Sequence, residues 1–226
     1  MGDATRKAAL YDAFARTGKA LSSGKRLELL DLLAQGERTV DALAKAAGLN
    51  LTTASAHLQT LKQAGLVATR REGVRIHYRL AGDDVAALYA LLRQVAQAHQ
   101  TAVEPARAAY LGTDEAADEV AEVDRADLLA RARSGEVVVL DVRPTEEYAA
   151  GHIPGALSIP VDELADRIAD LPADTEVVAY CRGAYCVLAY DAVRLLHERG
   201  RKAVRLTDGM LEWRLAELPV ATGAAA

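Results

Sequence analysis

The stretch TEVVAYCRGAYCVLAYDAVRLLHERG, residues 175–200, decides the fold of the C-terminal half of this 226-residue chain. It begins with a short β-branched run, passes through a loop, and continues into an apolar pattern with helical spacing. Both cysteines of the chain, Cys181 and Cys186, lie at the ends of that loop. Other short apolar runs predict strands at 137–142, 156–159 and 202–207, and residues 161–171 predict a second helix. Strands that alternate with helices predict a parallel α/β sheet.

The N-terminal half instead has long stretches with helical periodicity, and residues 39–64 predict two helices around a tight turn. Asn50 is a suitable N-cap for the second helix. In that helix Ala54, Leu58 and Leu61 recur at helical spacing and should face inward. The outer face then carries short hydrogen-bonding side chains without a carboxylate: Thr52, Thr53, Ser55, His57 and Gln59. Such a face suits the phosphates and base edges of a DNA major groove.

A β-hairpin is predicted next, in VATRREGVRIHYRL, residues 67–80. From Val74 to Leu80, apolar residues alternate with Arg75, His77 and Arg79, which predicts one apolar and one cationic face. A solvated hairpin without a nucleic-acid contact is the alternative. Three arginines near the tip are candidates to contact phosphates or a minor groove: Arg70, Arg71 and Arg75.

Charge and composition separate the two halves. Residues 1–112 hold 15 Lys and Arg against 10 Asp and Glu, whereas residues 113–226 hold 12 against 22. This split fits a nucleic-acid-facing module joined to another domain, although chance variation between two domains would give the same result. Neither a signal peptide nor a membrane span is expected, so the predicted location is the cytoplasm. Because thiols stay reduced there, two cysteines five positions apart indicate chemistry or metal binding before a structural disulfide.

The acidic stretch LGTDEAADEVAEVD, residues 111–124, is the predicted boundary between the halves. We expect one domain at residues 1–112, an acidic linker at 113–121, a second domain at 122–222 and a disordered tail at 223–226.

Residues 51–80, LTTASAHLQTLKQAGLVATRREGVRIHYRL, resemble the ArsR-type winged-helix repressors, and the resemblance extends over about residues 5–105. It implies a mainly α winged helix-turn-helix that binds an inverted-repeat operator as a homodimer through its first and last helices. The metal sites of that family are missing here, because ERTVDALAK (37–45) has no cysteine and His99 stands alone. We therefore expect no metal ligands. The apolar stripes of the two predicted dimer helices are Leu10, Tyr11 and Phe14, and Val85, Leu88, Leu92 and Val95.

Residues 138–160, VVLDVRPTEEYAAGHIPGALSIP, together with VVAYCRGAYC and GMLEWRLAELPV, resemble the rhodanese domain over about residues 120–222. The resemblance implies an α/β fold, with a parallel sheet and helices on both faces, and Cys181 at the nucleophile position. Asp141 and Arg143 would support the loop from a strand end, in a structural or a catalytic role. The resemblance also implies a sulfur-binding cradle made of Arg182, Gly183, Ala184, Tyr185, Cys186 and Val187. Three further residues are expected to be architectural: Glu147, His152 and Trp213.

The chemistry expected of the loop is persulfide formation at Cys181. Thiolates are favoured at helix N-termini and beside cations, so inward-facing N–H groups and Arg182 would stabilise an anionic persulfide. Cys186 could resolve that persulfide into a bridge, or it is simply a small apolar residue that opens the helix. Thiosulfate-active rhodaneses often have Arg or Thr where Cys186 stands, which puts turnover in doubt. A phosphatase of this fold would need Arg where Val187 stands, so phosphate chemistry is not expected.

Three functions follow from the sequence. The first is a transcriptional regulator, a repressor by the habit of its family, whose rhodanese domain senses reactive sulfur as a persulfide on Cys181. The second is an active sulfurtransferase tethered to a DNA-binding module. The third is an arsenite-type thiol sensor that uses Cys181 and Cys186. The expected partners are double-stranded operator DNA, a second copy of the chain and a small sulfane-sulfur donor, with no cofactor and no membrane.

Overall fold

The computed structural model of the chain describes residues 2–113 and 120–224. Most of the predicted linker, and residues 225–226 of the predicted tail, lie outside the described residues. The chain divides into two compact units, Met1–Leu91 and Leu92–Ala226. This division falls inside one continuous helix, Asp83–His99. The domain bounds expected at residues 112 and 122 stay predictions.

The first unit is mainly helical, with a small three-stranded sheet. Its elements are α1 (Gly2–Leu21), α2 (Gly24–Gln35), β1 (Arg38–Thr39), α3 (Val40–Ala46), α4 (Leu51–Gln63), β2 (Val67–Glu72), β3 (Arg75–Leu80) and the beginning of α5 (Asp83–His99). Helices α3 and α4 are the predicted helix-turn-helix. Strands β2 and β3 form the predicted antiparallel hairpin, and the strand order is β1-β3-β2. The predicted winged helix-turn-helix is confirmed.

Local capping explains where α3 and α4 begin. The Asn50 carboxamide oxygen accepts a hydrogen bond from the Thr53 N–H at 2.8 Å, as the sequence predicted for this cap. Thr39 caps α3 in the same way, accepting from the Ala42 N–H at 3.3 Å. Gly48 adopts a left-handed conformation between the helices, with φ of 61°. The side chains predicted to face inward from α4 are fully buried: Ala54, Leu58 and Leu61.

The apolar face of the hairpin is shorter than the alternation predicted. Tyr78 is buried, whereas Ile76 is 44% exposed and Val74 is 94% exposed. Val74 lies in the turn, outside both strands, so it does not share a face with the residues of β3. The alternating pattern therefore predicts burial only near the base of the hairpin.

The second unit contains a five-stranded parallel sheet. After the end of α5 its elements are α6 (Val103–Leu111), β4 (Glu122–Val123), α7 (Arg125–Ser134), β5 (Val137–Asp141), α8 (Thr145–Ala150), β6 (Leu157–Ser158), α9 (Leu164–Arg167), a 3₁₀ turn (Ile168–Asp170), β7 (Glu176–Tyr180), α10 (Val187–Glu198), β8 (Ala203–Leu206) and α11 (Met210–Leu215). The strand order is β4-β8-β7-β5-β6, with every neighbouring pair parallel. The predicted α/β fold with a parallel sheet is confirmed. The helix predicted at 161–171 is shorter and ends in the 3₁₀ turn.

Side-chain alternation along β7 gives the sheet two apolar faces. Val177 and Ala179 pack with residues of α9 and α10, whereas Val178 and Tyr180 pack with residues of α7, α8 and α11. Helices therefore cover both faces, and the central strand leads directly into the cysteine loop. Within the described residues, no helix is both long and apolar enough to cross a membrane.

Candidate functional site

The two cysteines lie between the carboxyl end of β7 and the N-terminus of α10. β7 ends at Tyr180, and Cys186 is the N-cap residue of α10. Ligands of open parallel sheets bind at this edge, because the loops after the strands converge there. Both cysteines are free thiols; Cys181 is 1% exposed and Cys186 is 8% exposed. Cys186 is thus the more accessible thiol, and a reagent must displace part of the loop to reach Cys181.

The loop is folded onto the sulfur of Cys181. Its Sγ lies 3.4 Å from the carbonyl oxygen of Cys186 and 3.9 Å from that of Gly183, so the single S–H has both acceptors within reach. The Cys186 N–H donates to the Gly183 carbonyl at 3.1 Å, which closes a tight turn. The sulfur of Cys181 therefore meets carbonyl groups in addition to the N–H groups of Gly183 and Ala189, which partly offset the rise in its pKa caused by burial.

The two thiols are hydrogen-bonded to each other and differ in acidity. Burial raises the pKa of the Cys181 thiol well above its usual range, and the neighbouring Cys186 raises it further. The hydrogen bond from Cys181 lowers the pKa of Cys186, as do the charge of Arg182 and the N–H groups of Arg182 and Leu188. The Leu188 N–H belongs to the first turn of α10, where a helix favours an anion. Cys186 is therefore the more acidic thiol of the pair, and the shared proton favours Cys181.

This ordering gives a prediction for thiol reactivity. Because the thiolate is the nucleophile, we expect iodoacetamide to alkylate Cys186 several-fold faster than Cys181. Because its pKa is lowered, alkylation of Cys186 should decline at a lower pH than alkylation of Cys181, whose pKa is raised. Peptide mapping after brief alkylation across a pH series measures both rates. Preferential labelling of Cys181 would contradict the ordering.

Arg182 is held by Glu147 beside the loop. Its Nε lies 2.9 and 3.1 Å from the two carboxylate oxygens, and its Nη2 lies 2.6 Å from Oε1. The Glu147 side chain is 1% exposed, so the pair is largely shielded from water. Glu147 thus offsets part of the positive potential that the sequence assigned to Arg182. It also positions the guanidinium, a function that the sequence missed because 35 residues separate the partners.

Asp141 and Arg143 form a buried cluster behind the loop. Arg143 Nη2 lies 2.6 Å from Asp141 Oδ2, and neither side chain has any exposed surface. The hydroxyl of Tyr180 donates to the same carboxylate oxygen at 2.6 Å and accepts from the Ile153 N–H at 3.1 Å. The cluster therefore ties the end of β5 to the residue that immediately precedes Cys181.

His152 and Trp213, both predicted to be architectural, lie in packed surroundings. The His152 ring stacks on Tyr148 with the ring centroids 3.6 Å apart. The Trp213 indole is buried and donates to the Pro219 carbonyl at 2.8 Å.

The start of α11 packs against the cysteine loop and is hydrogen-bonded to it. The N–H groups of Met210 and Leu211 donate to the carbonyls of Cys181 and Arg182, each at 3.0 Å. Gly209 approaches so closely that a Cβ there would lie 2.3 Å from the Gly183 nitrogen and 2.5 Å from the Cys181 oxygen. Gly209 was not identified from the sequence. The signal for it is its position directly before the apolar helix that begins at Met210.

Replacing Gly209 with alanine should therefore displace the loop. The methyl group would overlap backbone atoms, and overpacking of this kind costs about 1–3 kcal/mol. We expect a lower free energy of unfolding, measured by denaturant titration. We also expect a slower reaction of Cys181 with sulfane-sulfur donors, measured by mass spectrometry. Gly24→Ala is the matched control, since a Cβ at Gly24 meets nothing within 4 Å. Equal behaviour of the two variants would contradict this packing.

The predicted major-groove residues lie together on the outer side of α4. Thr52 is exposed, and Thr53, Ser55 and His57 are partly exposed. Gln59 is also exposed, but its amide nitrogen donates to the Tyr78 hydroxyl at 3.0 Å. Gln59 therefore links α4 to the hairpin, in addition to its predicted contact with DNA.

The three hairpin arginines differ in their surroundings. Arg70 donates to Glu37 at 2.6 and 2.9 Å and to Glu72 at 2.8 Å, and these carboxylates raise its pKa. DNA phosphates would have to compete for Arg70 with these two acidic partners. Arg71 Nε donates to the Gly73 carbonyl at 3.0 Å, and Arg75 is exposed on β3. Arg71 and Arg75 are therefore the better placed candidates for phosphate contacts.

A cavity of about 420 Å³ adjoins the cysteine loop. Arg182 and Leu188 line one part of it, and three acidic residues line another: Glu146, Asp162 and Glu163, the last of which pairs with Arg167 at 3.2 Å. This charge suits neutral or cationic molecules better than dianions, because like charges repel in a partly enclosed site. In the part of the chain that the structure describes, no group of three or more His, Cys, Asp or Glu side chains could hold a metal ion.

Comparison with known proteins defines the class to which these two units belong. Residues 23–69 match the bacterial regulatory protein arsR family, and residues 124–216 match the rhodanese-like domain. The chain belongs to the ArsR family of winged helix-turn-helix transcriptional regulators and carries a C-terminal rhodanese domain.

Among individual proteins, the chain is 60% identical over 223 residues to the HTH-type transcriptional regulator Rv0324 of Mycobacterium tuberculosis, which covers 99% of this chain and 96% of that protein. A sulfurtransferase of Allochromatium vinosum is 33% identical over 103 residues, covering 45% of this chain and 94% of that protein. A solution structure of the homodimeric winged helix-turn-helix DNA-binding domain Mb0332 from Mycobacterium bovis is 64% identical. It covers 42% of this chain and 88% of that chain, with a TM-score of 0.40.

Proposed function

We propose that this transcriptional regulator senses sulfane sulfur, and that loading of sulfur onto Cys181 lowers its affinity for operator DNA. The observation that carries the proposal is the pair of buried free thiols at the N-terminus of α10, where Cys186 is the N-cap and Cys181 Sγ lies 3.4 Å from the Cys186 carbonyl oxygen. A thiolate beside a protonated partner can accept sulfur and then form a bridge without any further residue. Loss of DNA affinity on loading makes the protein a repressor that reactive sulfur releases. Such a role belongs in the cytoplasm, where thiols are kept reduced.

The first chemical step is sulfur transfer from an organic persulfide, RSS⁻, to Cys181. The Cys186 thiolate takes the proton of Cys181 along their hydrogen bond, and the Cys181 sulfur attacks the outer sulfur of the donor. A new S–S bond forms at Cys181, the S–S bond of the donor breaks, and RS⁻ leaves. The products are a persulfide anion on Cys181, a thiol on Cys186 and RS⁻, so charge and protons balance. Cys186 acts here as the general base.

A second step can follow inside the loop. The Cys186 thiol passes its proton to the outer sulfur of the Cys181 persulfide, and the resulting Cys186 thiolate attacks the inner sulfur. The Cys181–Cys186 disulfide forms and HS⁻ leaves, so the donor supplies the only oxidising equivalent that the bridge needs. Two protein states, persulfide and bridge, therefore arise from one donor.

The donor class is proposed from the charge of the neighbouring cavity. Its three carboxylates, from Glu146, Asp162 and Glu163, oppose a dianion such as thiosulfate. Organic persulfides, particularly those with an ammonium group, fit the same cavity better. This preference also accords with Cys186 in place of the Arg or Thr of thiosulfate-active rhodaneses.

The DNA-binding unit is proposed to act as a homodimer. Large apolar side chains are exposed on α1 and on α5, where a monomer would leave them in water: Leu10, Tyr11, Phe14, Leu88, Leu91 and Val95. Exposed apolar surface of this kind marks a protein interface. Two recognition helices α4, one from each copy, would then contact the two halves of an inverted repeat.

A second candidate function is favoured by the sulfurtransferase of A. vinosum, which aligns with the rhodanese part of the chain. In this alternative the rhodanese unit is an active sulfurtransferase, and DNA binding is indifferent to its sulfur state. Steady turnover of donor and acceptor, with unchanged operator affinity, would favour it. The arsenite alternative depends on the same two thiols; a change of operator affinity with arsenite, in the absence of sulfur donors, would favour that alternative.

The proposal is tested with the full chain and cysteamine persulfide, a donor with an ammonium group and no carboxylate, under anaerobic conditions. The DNA probe is a duplex selected by the reduced protein from a randomised library. Mass spectrometry should find one added sulfur on Cys181, or the bridge, and fluorescence anisotropy should find weaker binding to the duplex. Salt must be constant, because phosphate contacts make the affinity strongly salt-dependent. An unmodified Cys181 after treatment would contradict the proposal.

A further inference from the structure

We propose that Arg93 and Gln97 of α5 are positioning residues that hold Tyr185 of the cysteine loop, and that they couple the sulfur state of the loop to α5. The inference rests on the proposed function and assigns the contact through which that function is regulated. All three residues belong to the second unit, which begins at Leu92.

Tyr185 is held by two side chains of one helix. The Arg93 guanidinium lies over the Tyr185 ring, with its Cζ 4.4 Å from the ring centroid. The Tyr185 hydroxyl donates to the Gln97 carboxamide oxygen. Positions 93 and 97 are one helical turn apart on the same face, so both can reach one tyrosine. A cation over an aromatic face and a hydrogen bond together fix the position and the orientation of the ring.

Arg93 also pairs with Glu212, which packs against the cysteine loop. Its Nη2 lies 3.3 Å from Glu212 Oε1, in a pair whose side chains are 15% and 21% exposed. The other carboxylate oxygen of Glu212 accepts from the Gly209 N–H at 3.0 Å, and it would lie 3.0 Å from a Cβ at Gly183. Arg93 therefore contacts both Tyr185 of the loop and Glu212, the residue that packs against Gly183 and Gly209.

Sulfur loading must disturb this arrangement. A second sulfur on Cys181 would lie about 2 Å from Sγ, yet the Cys186 carbonyl oxygen is already 3.4 Å from Sγ and Cys181 is 1% exposed. The loop has to open, and Tyr185 moves with its neighbour Cys186. Formation of the disulfide would likewise pull Cys186 toward Cys181. Each product therefore changes the position of Tyr185 relative to Arg93 and Gln97.

Helix α5 can carry this change out of the second unit. It is one uninterrupted helix from Asp83 to His99, so it extends across the division between the two units. Its exposed apolar residues Leu88, Leu91 and Val95 belong to the proposed dimer surface. Small shifts of helices at subunit interfaces are a common way to switch the DNA-binding geometry of a dimer. The coupling must also be reciprocal, so bound operator should oppose sulfur loading.

The test compares Arg93→Gln and Gln97→Leu with the wild-type chain, with the selected duplex as DNA probe and cysteamine persulfide as donor. Gln94→Leu, an exposed glutamine on the same helix, is the matched control. In the wild type and the control we expect operator affinity to fall by about 5–150-fold on loading. In Arg93→Gln and Gln97→Leu the operator affinity should change little on loading, while mass spectrometry still finds sulfur on Cys181. Arg93→Lys, which keeps the charge, should restore part of the response.

A double-mutant cycle separates coupling from a general loss of stability. Tyr185→Phe removes the hydrogen bond to Gln97 from the loop side, so combining it with Gln97→Leu should reduce the response no further than Gln97→Leu alone.

The outcomes are distinct. A wild type that takes up no sulfur, or that loads without losing affinity, refutes the proposed function itself. A responding wild type with equally responsive Arg93 and Gln97 variants refutes only the coupling contact. Variants that no longer load sulfur would show that the two residues merely maintain the loop, which also overturns the coupling.

Discussion

Replacing Asp141 with alanine should destabilise the rhodanese unit by about 3–5 kcal/mol, the cost of removing one partner from a buried ion pair. The substitution leaves the Arg143 guanidinium fully buried without its carboxylate. It also removes the acceptor of the Tyr180 hydroxyl, 2.6 Å away. Because Tyr180 immediately precedes Cys181, the loss reaches the sulfur-binding loop as well as the core.

The single tryptophan of the chain makes this measurable in the intact protein. Trp213 is buried in the second unit, so its fluorescence during urea titration reports the unfolding of that unit. Asp170→Ala is the matched control, because Asp170 pairs with Arg167 at 2.9 Å with side-chain exposures of 54% and 42%. Exposed pairs contribute about 0–1 kcal/mol. If Asp141→Ala lowers the free energy of unfolding by no more than Asp170→Ala does, the buried pair does not support the loop.

The second large effect is expected at the two cysteines. Cys181→Ser should abolish sulfur loading and the donor-induced change of operator affinity, because a hydroxyl cannot hold a persulfide. Cys186→Ser should still load sulfur on Cys181, but about 10²-fold or more slowly, since the general base is lost. It should also release no sulfide, because no bridge can form.

A time course by mass spectrometry, with sulfide measured in the same samples, separates these roles. Loading of Cys186→Ser at the wild-type rate would contradict the assignment of Cys186 as base. A protein that accumulates sulfur on Cys186 in the Cys181→Ser variant would reverse the roles of the two thiols.

Local periodicity explains why most of the fold could be predicted. The run from β7 through the loop to α10 changes from β-branched residues to helical spacing at the cysteines, and the structure follows it closely. Asn50 before α4 is equally local, because an N-cap bonds only to its own helix. β1 and β4 were not predicted, since two residues are too few to show any periodicity; β6 is as short, but it lies within the longer predicted run 156–159.

The contacts that shape the site were harder to predict because they join distant residues. Glu147 and Arg182 are 35 positions apart, and Gln97 and Tyr185 are 88 apart. No spacing rule connects such pairs; they meet only after the sheet and α5 have packed. The same holds for Arg70, whose carboxylate partner Glu37 lies in a different part of the first unit. The roles of single residues could be proposed from the sequence, but the side chains that pair with those residues could not be predicted.

The acidity of the two thiols shows this limit most directly. The resemblance to rhodaneses places the nucleophile at Cys181, and Cys181 is indeed the residue that follows β7. Which sulfur faces the N–H groups of α10 depends on the path of the loop, which no sequence pattern specifies. In the structure the Leu188 N–H faces Cys186 and the Ala189 N–H faces Cys181, so the first turn of α10 reaches both sulfurs.

The central claim is that sulfur on Cys181 controls operator binding. It is tested most directly by titrating the full chain with cysteamine persulfide and reading two quantities from the same samples: the fraction of Cys181 modified, by mass spectrometry, and the fraction of operator duplex bound, by anisotropy at fixed salt. We predict that the released fraction rises in step with the modified fraction, and that Cys181→Ser shows neither change. Complete modification of Cys181 with undiminished operator binding would contradict the account.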